Sequence, residues 1–134
     1  MKRSCMLSLA ALFVIASSGF SAEPNWVGKY SSENFLNGQA GFQLVIEQSG
    51  DALQVSFDAA YKDAHGAAPD GGGEAKITAD NTLEFKWEDS FDNSGTGTIK
   101  RAGDTIIVSM KTTQVVDERC LAFYGDNMRL KRVK

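Results

Sequence analysis

Apolar and polar residues alternate along most of this chain with a period of two. Phe42, Leu44 and Ile46 alternate with Gln43, Val45 and Glu47, and Leu53, Val55 and Phe57 with Gln54, Ser56 and Asp58. Leu83, Phe85 and Trp87 alternate with Glu84, Lys86 and Glu88, and Ile106, Val108 and Met110 with Ile107, Ser109 and Lys111. Shorter versions occur at Trp26, Gly28 and Tyr30 and at Met128 and Leu130, and two weaker strands fit at 75–79 and 96–101. Successive side chains of a strand point to opposite faces, so each run offers one face to a core and one to water. Ser49-Gly50-Asp51, Asp80-Asn81 and Ala102-Gly103-Asp104 read as hairpin turns between them. No stretch shows helical spacing. The pattern predicts an all-β domain: a single antiparallel meander of about eight strands, closed into an up-and-down barrel rather than a sandwich. Closure removes exposed strand edges.

The start of the chain follows another rule. Lys2 and Arg3 precede an apolar run from Cys5 to Ala16, and small residues follow at Ser17, Ser18, Gly19, Ser21 and Ala22. This is the layout of a secretory signal peptide of bacterial type. The run falls short of the ~20 apolar residues a membrane span needs. Cleavage is expected after Ala22, with Gly19 as the alternative, leaving 23–134 as one domain. No cysteine is placed to become a lipidated N-terminus, so a soluble periplasmic or secreted protein without a membrane anchor is expected, read here as a monomer.

Processing changes the charge balance. All 17 acidic residues lie beyond Ala22, whereas Lys2 and Arg3 are lost, so a net charge of −3 becomes about −5. An acidic domain is a poor partner for nucleic acid or anionic membranes and a good one for a basic protein. One cysteine, Cys120, remains, so an intrachain disulfide is excluded and the core alone must hold the fold. Cys120 reads as a small buried hydrophobe.

Three connections are longer than hairpins require: 31–41, 61–73 and 89–95. The second holds the chain's one histidine, His65, with Asp63, Asp70 and three consecutive glycines. A single His with two Asp lacks the ligand count of a metal site, and no nucleophile-elbow motif accompanies it. An enzyme using His65 is therefore the weakest of three functional readings, and no cofactor or metal is called for. In the third connection, Asp89, Asp92, Asn93, Ser94 and Gly95 read as ordinary turn formers before a calcium loop, since the spacing is not that of an EF-hand. Phe91 is expected either to plug the barrel or to contact a partner. The basic final strand, with Arg129 and Lys131, reads as an exposed strand.

Trp26-Val27-Gly28-Lys29-Tyr30, opening the first strand of a meander, resembles the start of lipocalin-like (calycin) barrels, which implies a closed barrel. In size, compartment and class the chain is also similar to bacterial periplasmic lysozyme inhibitors, a likeness that transfers no residue. The leading expectation is a non-enzymatic binding protein that engages a protein partner through its loops: an inhibitor or immunity protein against a basic cell-wall hydrolase. Its candidate contact residues are Asp63, His65, Asp70, Phe91 and Asp92. The alternative is a carrier of a small apolar ligand inside the barrel.

Overall fold

A computed structural model describes residues 26–133. The expected leader, residues 1–22, lies outside the described residues. Eight strands follow in order: β1 (Gly28–Phe35), β2 (Ala40–Ser49), β3 (Ala52–Tyr61), β4 (Asp70–Ala79), β5 (Thr82–Asp89), β6 (Ser94–Ala102), β7 (Thr105–Gln114) and β8 (Met128–Arg132). Each pairs antiparallel with the next, and β8 returns to β1, closing the barrel. The closing seam is short: Tyr30 opposes Arg132 and Ser31 opposes Lys131.

The alternation sets the barrel. Phe42, Leu44 and Ile46 of β2, Val55 and Phe57 of β3, Leu83, Phe85 and Trp87 of β5, and Ile106, Val108 and Met110 of β7 are all buried in one core. Their polar neighbours face out. Fully burying a side chain of this size contributes about 1.5–3 kcal/mol. The rings fill the interior in sequence: Phe35 lies 5.5 Å from Phe42, Phe42 stacks on Phe57 at 5.9 Å, and Phe57 meets Trp87 edge-on at 5.9 Å. The Trp87 indole N–H donates to the Thr96 carbonyl at 3.0 Å, so this buried donor is satisfied. At the far end Trp26 is buried before β1 begins, with the Arg101 guanidinium 5.4 Å from its ring centre.

The weak strands depart from expectation in one instructive way. Gly71, Gly72 and Gly73 were expected in a loop, but they belong to β4, which pairs with β3 and β5 through them. Glycine is required there by close approach. A Cβ on Gly73 would run into the Lys86 carbonyl oxygen, and one on Gly72 into that of Val55. In β6 two inward positions beside the buried Ile99 are also glycine: a Cβ on Gly95 would lie 2.8 Å from Cζ2 of Trp87, and one on Gly97 would strike the Phe85 ring. The large rings of β5 occupy the space that β6 leaves empty. Pattern reading finds no apolar run in such strands because backbone and neighbouring rings supply the packing.

Gly73→Ala should therefore lower stability by about 2–3 kcal/mol through overpacking against backbone. Gly41→Ala, whose Cβ would meet nothing nearer than the Ser32 carbonyl at 3.9 Å, should be neutral or stabilising by about 0.5 kcal/mol. Urea midpoints of the two variants check the contrast; equal midpoints would remove the packing account.

Candidate functional site

The two ends of the barrel differ. Two-residue turns, Gly50-Asp51, Asp80-Asn81 and Gly103-Asp104, close one end. The other carries four longer connections: 36–39, 62–69, 90–93 and 115–127. The first three are shorter than the sequence suggested, because strand pairing extends into them. The fourth was not anticipated. It holds a 3-10 helix, Glu118–Phe123, whose N-cap Asp117 accepts from the Arg119 N–H at 3.0 Å. An Asp followed by Glu is a usable start signal. Two turns of 3-10 helix are too short to reveal themselves by periodicity.

These connections are laced together around the rim. The Lys62 N–H donates to the Gln39 carbonyl at 2.9 Å, joining the first and second. The Ser90 N–H donates to the Asp70 carbonyl at 2.7 Å, and the Asp70 N–H donates to Ser90 Oγ at 3.2 Å, joining the second and third. Phe123 closes the circle, with its ring 6.3 Å from Phe35 and 5.1 Å from Tyr61.

The third and fourth connections are joined by a buried polar network. Asp89, at the end of β5, and Asn93, just before β6, are the buried polar residues among the described ones. The Asp89 carboxylate accepts from the N–H groups of Phe91 (2.8 Å) and Asn93 (3.0 Å), from Asn93 Nδ2 (3.0 Å) and from the Tyr124 hydroxyl (2.6 Å). Asn93 in turn donates from Nδ2 to the Asp117 carbonyl at 3.2 Å, and its Oδ1 accepts from the Val116 and Asp117 N–H groups at 2.7 and 2.9 Å. Every polar atom of the Asn93 amide is used. Burial, together with the bond to Asp89, pushes the Tyr124 hydroxyl well above the usual tyrosine range, so it stays a donor. Cys120 is fully buried next to this network. Burial, with the charges of Asp89 and Asp117, pushes its thiol up to about 11.

The five residues singled out from sequence all reach this rim without converging on one cleft. Asp63 accepts from the His65 N–H at 3.1 Å and also meets His65 Nδ1, a bond that holds the Asp63 carboxyl below its usual range. The His65 ring stacks on Tyr61 at 4.1 Å, and both members of the Asp63–His65 pair are exposed. Asp70 is exposed and lines a concavity of about 950 Å³ on the outer wall beside Tyr61 and Lys62. Phe91 is half-buried, with the Arg119 guanidinium 5.7 Å from its ring centre. Phe91 is not part of the buried core; Phe123 of the 3-10 helix is, and Cys120 is buried beneath the same helix. Asp92 is exposed at a φ of +67°. Asp89, grouped with the turn formers in the sequence reading, spends its oxygens on protein donors. Among the described residues no cluster of three His, Cys, Asp or Glu side chains is placed to hold a metal ion.

A second concavity, about 720 Å³, lies on the outer wall of β4–β7 over Gly97 of β6, lined by Lys76, Glu84, Lys86, Thr96 and Lys111. No family model, no curated protein and no solved structure matches the chain.

Asn93→Ala strands the Val116 and Asp117 N–H groups and should cost about 3 kcal/mol. Hydrogen exchange should quicken at those two amides more than in β2 and β3, and uniform change across the barrel would contradict the lacing. Cys120 gives a separate check. With a folded value near 11 against an ordinary 9.0, its thiol favours the native state up to about pH 9, and that contribution fades as pH climbs toward 11. In protein comprising residues 23–134, an aromatic disulfide reagent should label Cys120 slowly at pH 8 and rapidly once denaturant is added; fast labelling of folded protein would contradict its burial.

Proposed function

We propose that this chain is an exported, lipocalin-like binding protein whose loop-bearing end engages a basic protein, in its concrete form a cell-wall hydrolase that it inhibits. The observation that carries this reading is the laced, acidic rim. Asp63, Asp70, Asp92, Asp117, Glu118 and Asp126 outnumber Lys62 and Arg119 among the charged residues there. Like-signed groups gathered on one end steer an oppositely charged partner toward that end and raise its association rate. Fixed loops reduce the ordering cost of docking.

The leader-like layout of residues 1–22 supports the same reading, since an exported domain would meet the enzymes that cut peptidoglycan. The interior does less for the carrier alternative. Both concavities described above lie on the outer wall, and the rings of β2, β3 and β5 fill the core. The domain works by binding rather than catalysis on this reading, with His65 as a contact residue on an exposed loop.

The test is turbidimetric lysis of peptidoglycan by a panel of basic hydrolases, including a C-type lysozyme, with purified protein added. Lysis by at least one enzyme should slow in proportion to the protein added, and the effect should weaken as ionic strength rises from about 0.01 M to about 0.15 M. Unchanged lysis across the panel at every salt concentration would overturn the proposal.

A further inference from the structure

The rim is not uniform, and one sector of it has the make-up of a binding hot spot. Val115 and Val116 are the most exposed large apolar side chains among the described residues, at 47% and 58%. They do not lie on a loose loop. The Val116 N–H is held by Asn93 Oδ1 at 2.7 Å, and Asn93 is fixed by the buried Asp89. Phe91 is held by the same carboxylate through its own N–H. Above its ring lies the Arg119 guanidinium, kept in place by Asp117, which accepts from Arg119 Nε at 3.0 Å and from Nη2 at 2.6 Å. Two exposed valines, an aromatic ring and an arginine stacked on it are thus presented in fixed positions by one buried network.

Water-exposed apolar groups on a rigid segment gain nothing for the folded monomer. They do gain on association, because the segment is already ordered and the apolar area is lost to water only when something covers it. Aromatic and arginine side chains in such settings dominate measured interface energies. Asp92 beside Phe91 and Glu118 beside Arg119 are both exposed and acidic, so the covering surface is apolar at its centre and basic at its edge. The His65 sector offers no comparable apolar area.

We infer that Phe91, Val115, Val116 and Arg119 form the anchor of the partner interface, and that the partner is a basic protein presenting an apolar knob between Lys or Arg side chains. This rests on the binding reading above and says which part of the rim carries it.

The experiment measures affinity of the full-length processed protein for each hydrolase of the panel by calorimetry, using Phe91→Ala, Arg119→Ala and the double variant Val115→Ser/Val116→Ser against His65→Ala and Asp63→Asn. The valine pair is exposed, so its replacement leaves folding intact, and thermal melts of all variants confirm this. For the hydrolase that binds, the first three variants should each weaken affinity about tenfold or more, and the last two less than about twofold. If His65→Ala or Asp63→Asn carries the loss while the valine variant binds like the parent, the anchor is misplaced but the binding reading survives. If the parent protein binds none of the panel, both fall together.

Discussion

A single buried carboxylate organises the loop-bearing end of this molecule. Asp89 sits where β5 leaves the barrel, shielded from water, and a charge in that position is tolerated only when donors surround it. Four donors do so, and they come from different places: two backbone N–H groups and an amide of the following connection, and the hydroxyl of Tyr124, 35 residues further along the chain. The requirement to satisfy Asp89 therefore fixes the turn after β5 and the exit of the 3-10 helix at once. Asn93 extends the same demand to Val116 and Asp117. In a low-dielectric setting such bonds are strong when complete and costly when broken, which makes the arrangement all-or-none.

The opposite end is held by a different device. The ladder between β1 and β8 is only two residue pairs long, extended by the Val133 N–H donating to the Lys29 carbonyl at 2.8 Å. Arg132 compensates. It donates to the Val27 carbonyl at 3.0 Å and to the Tyr30 hydroxyl at 2.9 Å, and its guanidinium lies 5.0 Å from the Tyr30 ring centre. The Tyr30 hydroxyl then donates to the Trp26 carbonyl at 2.9 Å, pinning the residue that seals the core. Among the described residues one buried polar side-chain atom is left over: the Trp26 indole nitrogen has no partner there, at a cost of about 1–3 kcal/mol. The ring's apolar area and its contact with Arg101 offset that loss.

What the sequence disclosed follows from which interactions leave a periodic trace. Strands β2, β3, β5 and β7 pack by their own alternate side chains, so period two exposes them, and the inward sets read from the chain are the buried ones. In β4 and β6 the only core side chains are Ala75 and Ile99, and other inward positions are glycines pressed against neighbouring carbonyls and rings, where a packing contact made by the neighbour leaves no mark at the glycine itself. The loop rim was partly legible, since composition places Asp63, His65, Phe91 and Asp92 on connections, whereas Asp70, read in the same loop, is the first residue of β4. Which connections share an end, and that Asp89 and Asn93 turn inward from what looked like an ordinary run of turn formers, depend on pairing across the barrel. Phe91 and Phe123 are equally apolar letters, and only the fold shows that the second, on the 3-10 helix capped by Asp117, joins the core.

The choice of a polar network for the rim bears on what the rim is for. A barrel mouth could be closed by packed hydrophobes alone, and exchanging a buried charge network for well-packed apolar groups is often neutral or stabilising by about 1–4 kcal/mol. Stability by itself thus gives no reason for Asp89 and Asn93. Directional bonds do something apolar packing cannot: they fix the backbone of two separate loops in one orientation, down to individual N–H groups. A surface whose value lies in its shape needs that precision, because each unit of freedom removed in advance is one that association no longer has to remove. The same network that seals the barrel thereby determines how Phe91, Val115, Val116 and Arg119 stand toward water. Seen this way, the buried carboxylate is a device for holding an exposed surface still.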